Sequence, residues 1–577
     1  MSALPDFGAI TRVDRHSATG TVPRGPRAVP PAVLRRRRAL LLALTVLSAL
    51  AMLALVVRVL APGGWSAWEV LILVCAVVQL PWFGLSVATG LIGGAIALFA
   101  RDPAAAVLPA LRGLQPEAPI RTRTLLAICV RDEPMSEVLP PVERLLRALE
   151  ASGHGAAFSI GVLSDTARPE NAAEEERAMR VLAAAHRPGA VLYRRRLSNE
   201  GYKAGNVMEF LDNHARDFDF MMVLDADSEM SAATVLRMVR VAEADERCAI
   251  LQSNIAGAPA RASFGRLTGF GARHGGRIWV YGQAWWQDDQ GPYWGHNALV
   301  RIAPFRAHCR LPAMADGTPI LSHDYVEAAT LQGAGWAVRV LPEDEGSLEA
   351  HPPHAMAYLK RELRWAAGNM QWMGLLRERR LSTLGRFQMA QAVAYYLLIP
   401  FSFALMPLAA INAATGGAAG TPRPWLLLLL VLLWGLPQLA KFAGYAQAIL
   451  RPGPGVTRGP MLAELLFTTL FEPVAGFDRV VVLGRLLLGG GRGWPGQERL
   501  ERDLEWSEAV GYFWPHTLCG LVMAALFASA GLFPLLAALP FIGGLILAVP
   551  FAVVTSVVSD TRFPTGGLAE SREKVRA

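Results

Sequence analysis

Long apolar runs bracket a central stretch, residues 101–386, in which charges are spread throughout and no run is long enough to cross a bilayer. A helix needs about 20 predominantly apolar residues to traverse ~30 Å of hydrocarbon. Residues 39–57 and 70–100 meet that length before the central stretch, and residues 387–413, 424–450 and two runs within 514–558 meet it afterwards. The chain therefore divides into a membrane body of six expected spans and one inserted domain, a division that its 577 residues and 53% hydrophobic content favour. Within 70–100, Pro81 and the stretch from Gly90 to Gly94 predict a kink or tilt.

Basic residues set the orientation. Arg35 to Arg38 precede the first run, Arg451, Arg458 and the stretch 492–505 are charged, and Arg562, Arg572, Lys574 and Arg576 close the chain; the turns near 62–66 and 415–421 carry no charge. The positive-inside rule then puts the charged segments and the 101–386 domain together in the cytosol, beneath an inner membrane crossed several times. Residues 1–34 read as a disordered cytosolic tail and 559–577 as a second cytosolic tail, with 35–100 as two N-terminal spans and 387–558 as the C-terminal membrane region. Residues 461–488 carry Glu464, Glu472, Asp478 and Arg479. Bare charges are costly in lipid, so this segment is expected to be a re-entrant hairpin, an interfacial helix or part of a polar pathway. The net charge of +8 sits largely beside apolar runs, which favours topology over nucleic-acid binding. The five cysteines lie far apart and read as small buried hydrophobes.

Inside the central stretch, β-rich runs at 125–130, 158–164, 190–193, 220–224 and 337–341 alternate early on with helical patterns at 138–151 and 172–185. This is the βαβ rhythm of a Rossmann-like, mostly parallel α/β sheet, which binds ligands beyond the carboxyl ends of its strands. Polar residues that follow strands are the site candidates.

Two strands run into Arg131-Asp132-Glu133-Pro134 and Ser164-Asp165-Thr166, where a carboxylate would accept from a nucleotide base or ribose or, equally well from either segment alone, cap the next helix. Met221-Met222-Val223-Leu224-Asp225-Ala226-Asp227 is the sharpest local signal, a buried strand ending in two carboxylates one residue apart. Asp225 and Asp227 suit Mg²⁺ or Mn²⁺ bridging to a diphosphate, against the alternative of a solvated acidic turn. Lys203, between Gly201 and Gly205, suits phosphate or ribose or is a surface lysine at a helix start. Asp324 opens a helical pattern as either a general base for an acceptor hydroxyl or an N-cap. Arg361 and Arg364 share one helical face beside Trp365, a group fit to neutralise a departing diphosphate and stack on a sugar, or to lie at a membrane interface. Trp279, Tyr281, Trp285, Trp286, Tyr293 and Trp294, followed by Gly295-His296-Asn297, fit an acceptor saccharide with Gln283 and Asn297 at its rim, or a core or membrane-facing cluster.

Taken in order, Asp165, Asp225-Ala226-Asp227, Ser322-His323-Asp324 and Arg361-Glu362-Leu363-Arg364-Trp365 resemble the D, DxD, TED and Q/R-x-x-R-W pattern of processive family 2 glycosyltransferases, the group of cellulose, chitin and hyaluronan synthases. Within that group, Ile160-Gly161-Val162-Leu163-Ser164-Asp165-Thr166, Tyr293-Trp294-Gly295-His296-Asn297, Leu321-Ser322-His323-Asp324-Tyr325-Val326-Glu327-Ala328 and Gly368-Asn369 look like the glucans biosynthesis glucosyltransferase H family. The likeness covers residues 125–371 and the membrane arrangement in outline. Ser322 and His323 depart from the Thr and Glu of the TED pattern, and the N-terminal tail looks short for that family.

The resemblance implies a membrane α-helical bundle joined to a cytosolic GT-A domain that transfers glucose from UDP-glucose with inversion and builds, processively, the β-1,2-glucan backbone of osmoregulated periplasmic glucans. By the same resemblance, Asp132, Asp165, Lys203 and Asp225 bind UDP, and Asp225 with Asp227 holds a divalent metal, Mg²⁺ or Mn²⁺. Asp324 and Arg364 are catalytic, while Trp294, His296, Asn297, Arg361 and Trp365 face the acceptor glycan. The implied partners are a UDP-sugar donor, a glucan acceptor, membrane lipid and a periplasmic or membrane partner in glucan assembly, with no nucleic acid. A cellulose-like or chitin-like synthase shares these core motifs, and a transporter with a nucleotide-binding domain is the non-enzymatic alternative.

Overall fold

The strands form because runs such as Leu125-Leu126-Ala127-Ile128 are apolar on both faces, as a sheet covered by helices on each side demands. The computed structural model describes residues 22–23, 28–314, 317–451, 458–489 and 500–559; nearly all of the expected N-terminal tail, the segment 492–499 and residues 560–577 lie outside that description. Ten strands are present among the described residues: β1 Thr124–Val130, β2 Phe158–Ser164, β3 Val191–Arg195, β4 Phe220–Leu224, β5 Glu229–Met230, β6 Cys248–Ser253, β7 Ala256–Gly257, β8 Ala298–Arg301, β9 Ala337–Leu341 and β10 Ser347–Glu349. Seven make one sheet in the order β3-β2-β1-β4-β8-β6-β9, parallel except for β8, and β5-β10-β7 make a small second sheet. On β1, Leu126 and Ile128 pack with the helix Met135–Ala151, while Leu125 and Ala127 pack with Val207 and Phe210 of the helix Tyr202–Asn213.

The domain ends where apolar helices begin. Pro31–Leu60, Ala67–Phe99, Thr383–Ala414, Arg423–Leu450 and Trp506–Ser529 are each long and apolar enough to cross a membrane, and Leu532–Ile546 with Ala548–Ser556 adds a pair bent by 59°. The first helix starts at Pro31, inside the stretch expected as tail. Pro81 and residues 90–94 lie within one continuous helix, Ala67–Phe99. A Cβ on Gly93 would lie 2.0 Å from the carbonyl oxygen of Ile278, and one on Gly282 would lie 2.3 Å from that of Thr89. The two glycines let the helix Arg277–Gln287 of the central stretch cross the membrane helix backbone to backbone.

That crossing also answers the question raised by the aromatic run. Trp279, Tyr281, Trp285 and Trp286 pack with Ala97, Ala88, Ile92 and Ala440 of the membrane helices, so they belong to the membrane-facing alternative. Arg37 donates to the carbonyl of Trp285 (2.9 Å) and stacks on its ring, and Arg38 donates to that of Trp286 (3.2 Å). Two of the four expected topology-setting arginines therefore cap the negative end of this helix.

Residues 461–487 lie on one continuous helix, Arg458–Leu487, in place of a hairpin, and several of its charges find partners inside the protein. Glu464 accepts from Lys441 (2.7 Å), Thr468 (2.6 Å) and Tyr445; Asp478 accepts from Tyr512 (2.9 Å); Arg479 donates to Glu362 (2.9 Å).

Candidate functional site

The carboxyl ends of β1, β2 and β4 are adjacent, since Val130 pairs with Ser164 and Ile128 with Leu224. Residues that follow these strands therefore meet at one edge. Asp132 follows β1 with a positive φ of 63°, a conformation an aspartate tolerates when its side chain bonds locally. Its N–H donates to Thr166 Oγ1 (2.8 Å), and its carboxylate accepts from the N–H of Arg168 (3.2 Å) and from Asn171 (3.3 Å). Asp165 follows β2, is 9% exposed, and accepts a two-pronged contact from Arg196, whose Nη2 lies 2.9 Å from Oδ2. Arg196 also donates to the carbonyls of Glu200 (2.8 Å) and Tyr202 (2.7 Å), which folds the loop carrying Lys203 back against Asp165. Beneath them the buried Glu175 accepts from Ser164 (2.6 Å), Thr166 and Tyr193 (3.0 Å) and fixes the strand ends.

Lys203 is the hub. Its ammonium donates to Asp225 and to the carbonyl of Gly295 (2.8 Å), linking the end of β4 to the 293–297 loop. Burial disfavours the charge, yet Asp225 overcomes it and the Lys203 pKa stands above its ordinary value. Cys129 lies partly buried close to this pair, and desolvation pushes its thiol up to about 12. Asp227 sits half-buried two residues beyond Asp225.

Gly295 has a φ of 83°, and a Cβ there would come within 3.5 Å of Cβ of Asp324. The loop thus lies directly over Asp324, the first residue of the helix Asp324–Gly333. Burial raises the Asp324 pKa, with His323 the leading opposing charge. One connected path therefore joins Asp165, Arg196, Lys203, Asp225, Gly295 and Asp324.

The loop before Asp324 is seated on the helix Ala355–Leu375, which carries the Arg-Trp motif. Gln371 accepts from the N–H of Leu321 (2.9 Å) and donates to the carbonyl of Pro319 (3.1 Å), and Trp372 donates to that of Ser322 (2.9 Å). Gly368 makes room, because a Cβ there would lie 2.2 Å from Ser322 Oγ. One turn back from Gly368, Arg364 is buried, and Arg361 stacks 4.4 Å from the centroid of Trp365, which is 40% exposed. His296 pairs with Glu349 of β10 (3.7 Å), and Glu349 is followed two residues later by His351, packed against Gly257. Burial pushes His351 down to about 4, with Arg361 its leading like charge.

Asn297 departs from its expected place at a saccharide rim. It is fully buried, and its amide donates to Ser347 (3.1 Å) and the carbonyl of Leu348 (3.2 Å), so it holds the loop to β10. Trp294 is fixed through its N–H, which donates to Gln252 (2.8 Å). Arg196, Glu175, Gln252 and Glu349 escaped sequence reasoning because no local pattern names the partner through which each acts. Glu327 was legible in principle, standing four residues after His323 on one helix, the spacing at which side chains meet.

Two carboxylates at the end of β4 fit a hard divalent cation. Among the described residues no group of three His, Cys, Asp or Glu gathers to hold one.

Residues 220–438 match the family model Glycosyl transferase family group 2. The chain is 30% identical to glucans biosynthesis glucosyltransferase H of Bradyrhizobium diazoefficiens over 86% of its length and 69% of that protein's. It is 31% identical to the protein of the same name from Cereibacter sphaeroides (83% and 84%) and 29% identical to that of Xanthomonas campestris pv. campestris (96% and 90%). Among solved structures, a mannosyltransferase from Pyrobaculum calidifontis in complex with GDP-Man and Mn²⁺ is similar at 15% identity and a TM-score of 0.35, over 64% of this chain and all of that one. This chain, a mostly parallel GT-A sheet set among apolar helices, belongs to the glucans biosynthesis glucosyltransferase H family of family 2 glycosyltransferases.

Proposed function

We propose that the chain transfers glucose from UDP-glucose to a growing glucan with inversion, building a β-1,2-linked backbone processively at the cytosolic face of the inner membrane. The observation that carries this reading is the path from Asp165 through Lys203 and Asp225 to Asp324, which sets nucleotide-type and base-type residues on either side of one loop. Asp132 and Asp165 face the uridine, Lys203 and Asp225 the diphosphate. A divalent cation, Mg²⁺ or Mn²⁺, held by Asp225 and Asp227 would neutralise diphosphate charge.

Asp324 accepts the acceptor hydroxyl's proton as the new bond forms at the anomeric carbon, and the bond to UDP breaks with its electron pair leaving on the diphosphate. Arg364 stabilises that leaving group, a charge-assisted role for which a buried guanidinium is well suited. Trp365, the one half-open aromatic of the motif, offers a ring face to the acceptor, with Arg361 stacked on it and with Trp294 and His296 as further acceptor residues. A single displacement converts an α-linked donor into a β-linked product. The apolar helices anchor the enzyme in lipid beside its acceptor, and a membrane or periplasmic partner takes part in glucan assembly.

The test supplies membranes or purified protein with UDP-glucose, UDP-N-acetylglucosamine or UDP-glucuronate plus Mg²⁺ or Mn²⁺, followed by linkage analysis. Incorporation from UDP-glucose into β-1,2-glucan that stops with a chelator is expected. β-1,4-linked product would replace this reading with the cellulose-like one, and no incorporation from UDP-glucose would remove the donor assignment.

A further inference from the structure

The helix that begins at Asp324 carries a second acidic residue that the transfer chemistry leaves unused. Glu327 is 2% exposed, deep enough that its carboxylate needs a partner, and among the described residues its side chain bonds to His323 Nδ1 at 2.9 Å. His323 already has helical backbone angles (φ −82°, ψ −28°), which brings it onto the face of Glu327 one turn along and leaves it adjacent to Asp324. The charged groups facing His323 are Glu327 and Asp324 on its own helix and Lys203 on the helix Tyr202–Asn213, with Tyr293 close to both carboxylates.

The balance of these groups favours an imidazolium. Burial opposes the charge, but Glu327 holds the His323 pKa above its ordinary value against the repulsion of Lys203. Burial pushes both Asp324 and Glu327 up, and for each of them His323 is the foremost opposing influence. A cation beside two buried carboxylates favours the ionised form of each.

We propose that His323 and Glu327 form a positioning pair for Asp324, in which Glu327 anchors the imidazolium and the imidazolium keeps Asp324 anionic and ready to accept the acceptor proton. The pair rests on the reading of Asp324 as the base. His323 does not touch the sugar; it acts through its neighbour. The Ser-His-Asp sequence thereby acquires a reason for its histidine, because a neutral or acidic residue at 323 would leave Glu327 buried without a counterion.

The experiment measures glucosyl transfer by the full-length protein in detergent or nanodiscs across pH, for wild type, His323→Gln and His323→Lys. Removing the positive charge should move the acidic limb of kcat upward by about one pH unit, a roughly tenfold loss on that limb, with KM for UDP-glucose unchanged. His323→Lys keeps a cation within reach of Glu327 and should restore the wild-type limb. A His323→Gln limb that coincides with wild type overturns the proposal, as does a His323→Lys limb displaced like that of a neutral residue. If the Gln variant does not fold, the Lys variant decides alone. The double variant His323→Gln/Glu327→Gln should be no slower than His323→Gln, whereas full additivity overturns the pairing. Failure of the base reading looks different, since Asp324→Asn would then retain turnover.

Discussion

The donor side and the acceptor side of the site are built by opposite means. On the donor side each carboxylate already has a cation or N–H donor: Asp165 with Arg196, Asp225 with Lys203, Asp132 with Asn171 and the Arg168 amide. On the acceptor side, three buried polar atoms have no hydrogen-bond partner among the described residues, namely Nδ1 of His296, Nε2 of His351 and Nε of Arg361. The donor half is preorganised by segments closer in sequence, Asp165 and Arg196 standing 31 positions apart and Lys203 and Asp225 22. The acceptor half is assembled from segments farther apart in the chain, Gln252 with Trp294, His296 with Glu349 and Leu321 with Gln371. A polar ligand gains most where it satisfies groups the protein leaves unpaired, so the acceptor half has the larger stake in what binds to it.

Three substitutions break or sharpen that contrast. Asp324→Asn sits at the border of the halves and should cost transfer about 10³-fold while the Kd for UDP, read by calorimetry, stays at the wild-type value. Normal turnover would place the base elsewhere. Lys203→Met removes the hub of the donor half, leaving Asp225 without its ammonium, and should weaken UDP binding on the order of a hundredfold. A Kd within about threefold of wild type would show that the pair organises the empty site but adds nothing to binding. Gly368→Ala drives a methyl into Ser322 and shifts the loop before Asp324, so kcat should fall on the order of tenfold with UDP binding intact. Equal losses in kcat and UDP affinity would mean that the two halves are one mechanical unit.

Much of the donor half was legible in the sequence. Alternating apolar strands ending in Asp165 and in Asp225-Ala226-Asp227 announce a parallel sheet with polar residues at its carboxyl edge, and β2, β4 and β9 fall where their patterns put them. The strands β6 and β8 were not legible: Ala298–Arg301 has only four residues, and β8 runs antiparallel to both of its neighbours, β4 and β6, which no βαβ rhythm announces. The aromatic run 279–294 was ambiguous because a ring that covers a sugar and one that packs on a membrane helix have the same composition. Asn297 looked like a rim residue because an amide suits a hydroxyl, and only the approach of β10 shows that its donors are spent on Ser347 and Leu348.

What the sequence determined by itself are properties set by neighbours along the chain: apolar length, charge placement, strand period and the carboxylates that end strands. Tertiary structure alone decided the fate of charges whose partners lie far away. Glu464 is neutralised by Lys441 and Arg479 by a Glu362 that stands 117 residues earlier within the Arg-Trp motif, while Asp478 accepts a hydrogen bond from Tyr512. A charge is costly in an apolar setting only when it is alone, and whether it is alone depends on which helices pack together.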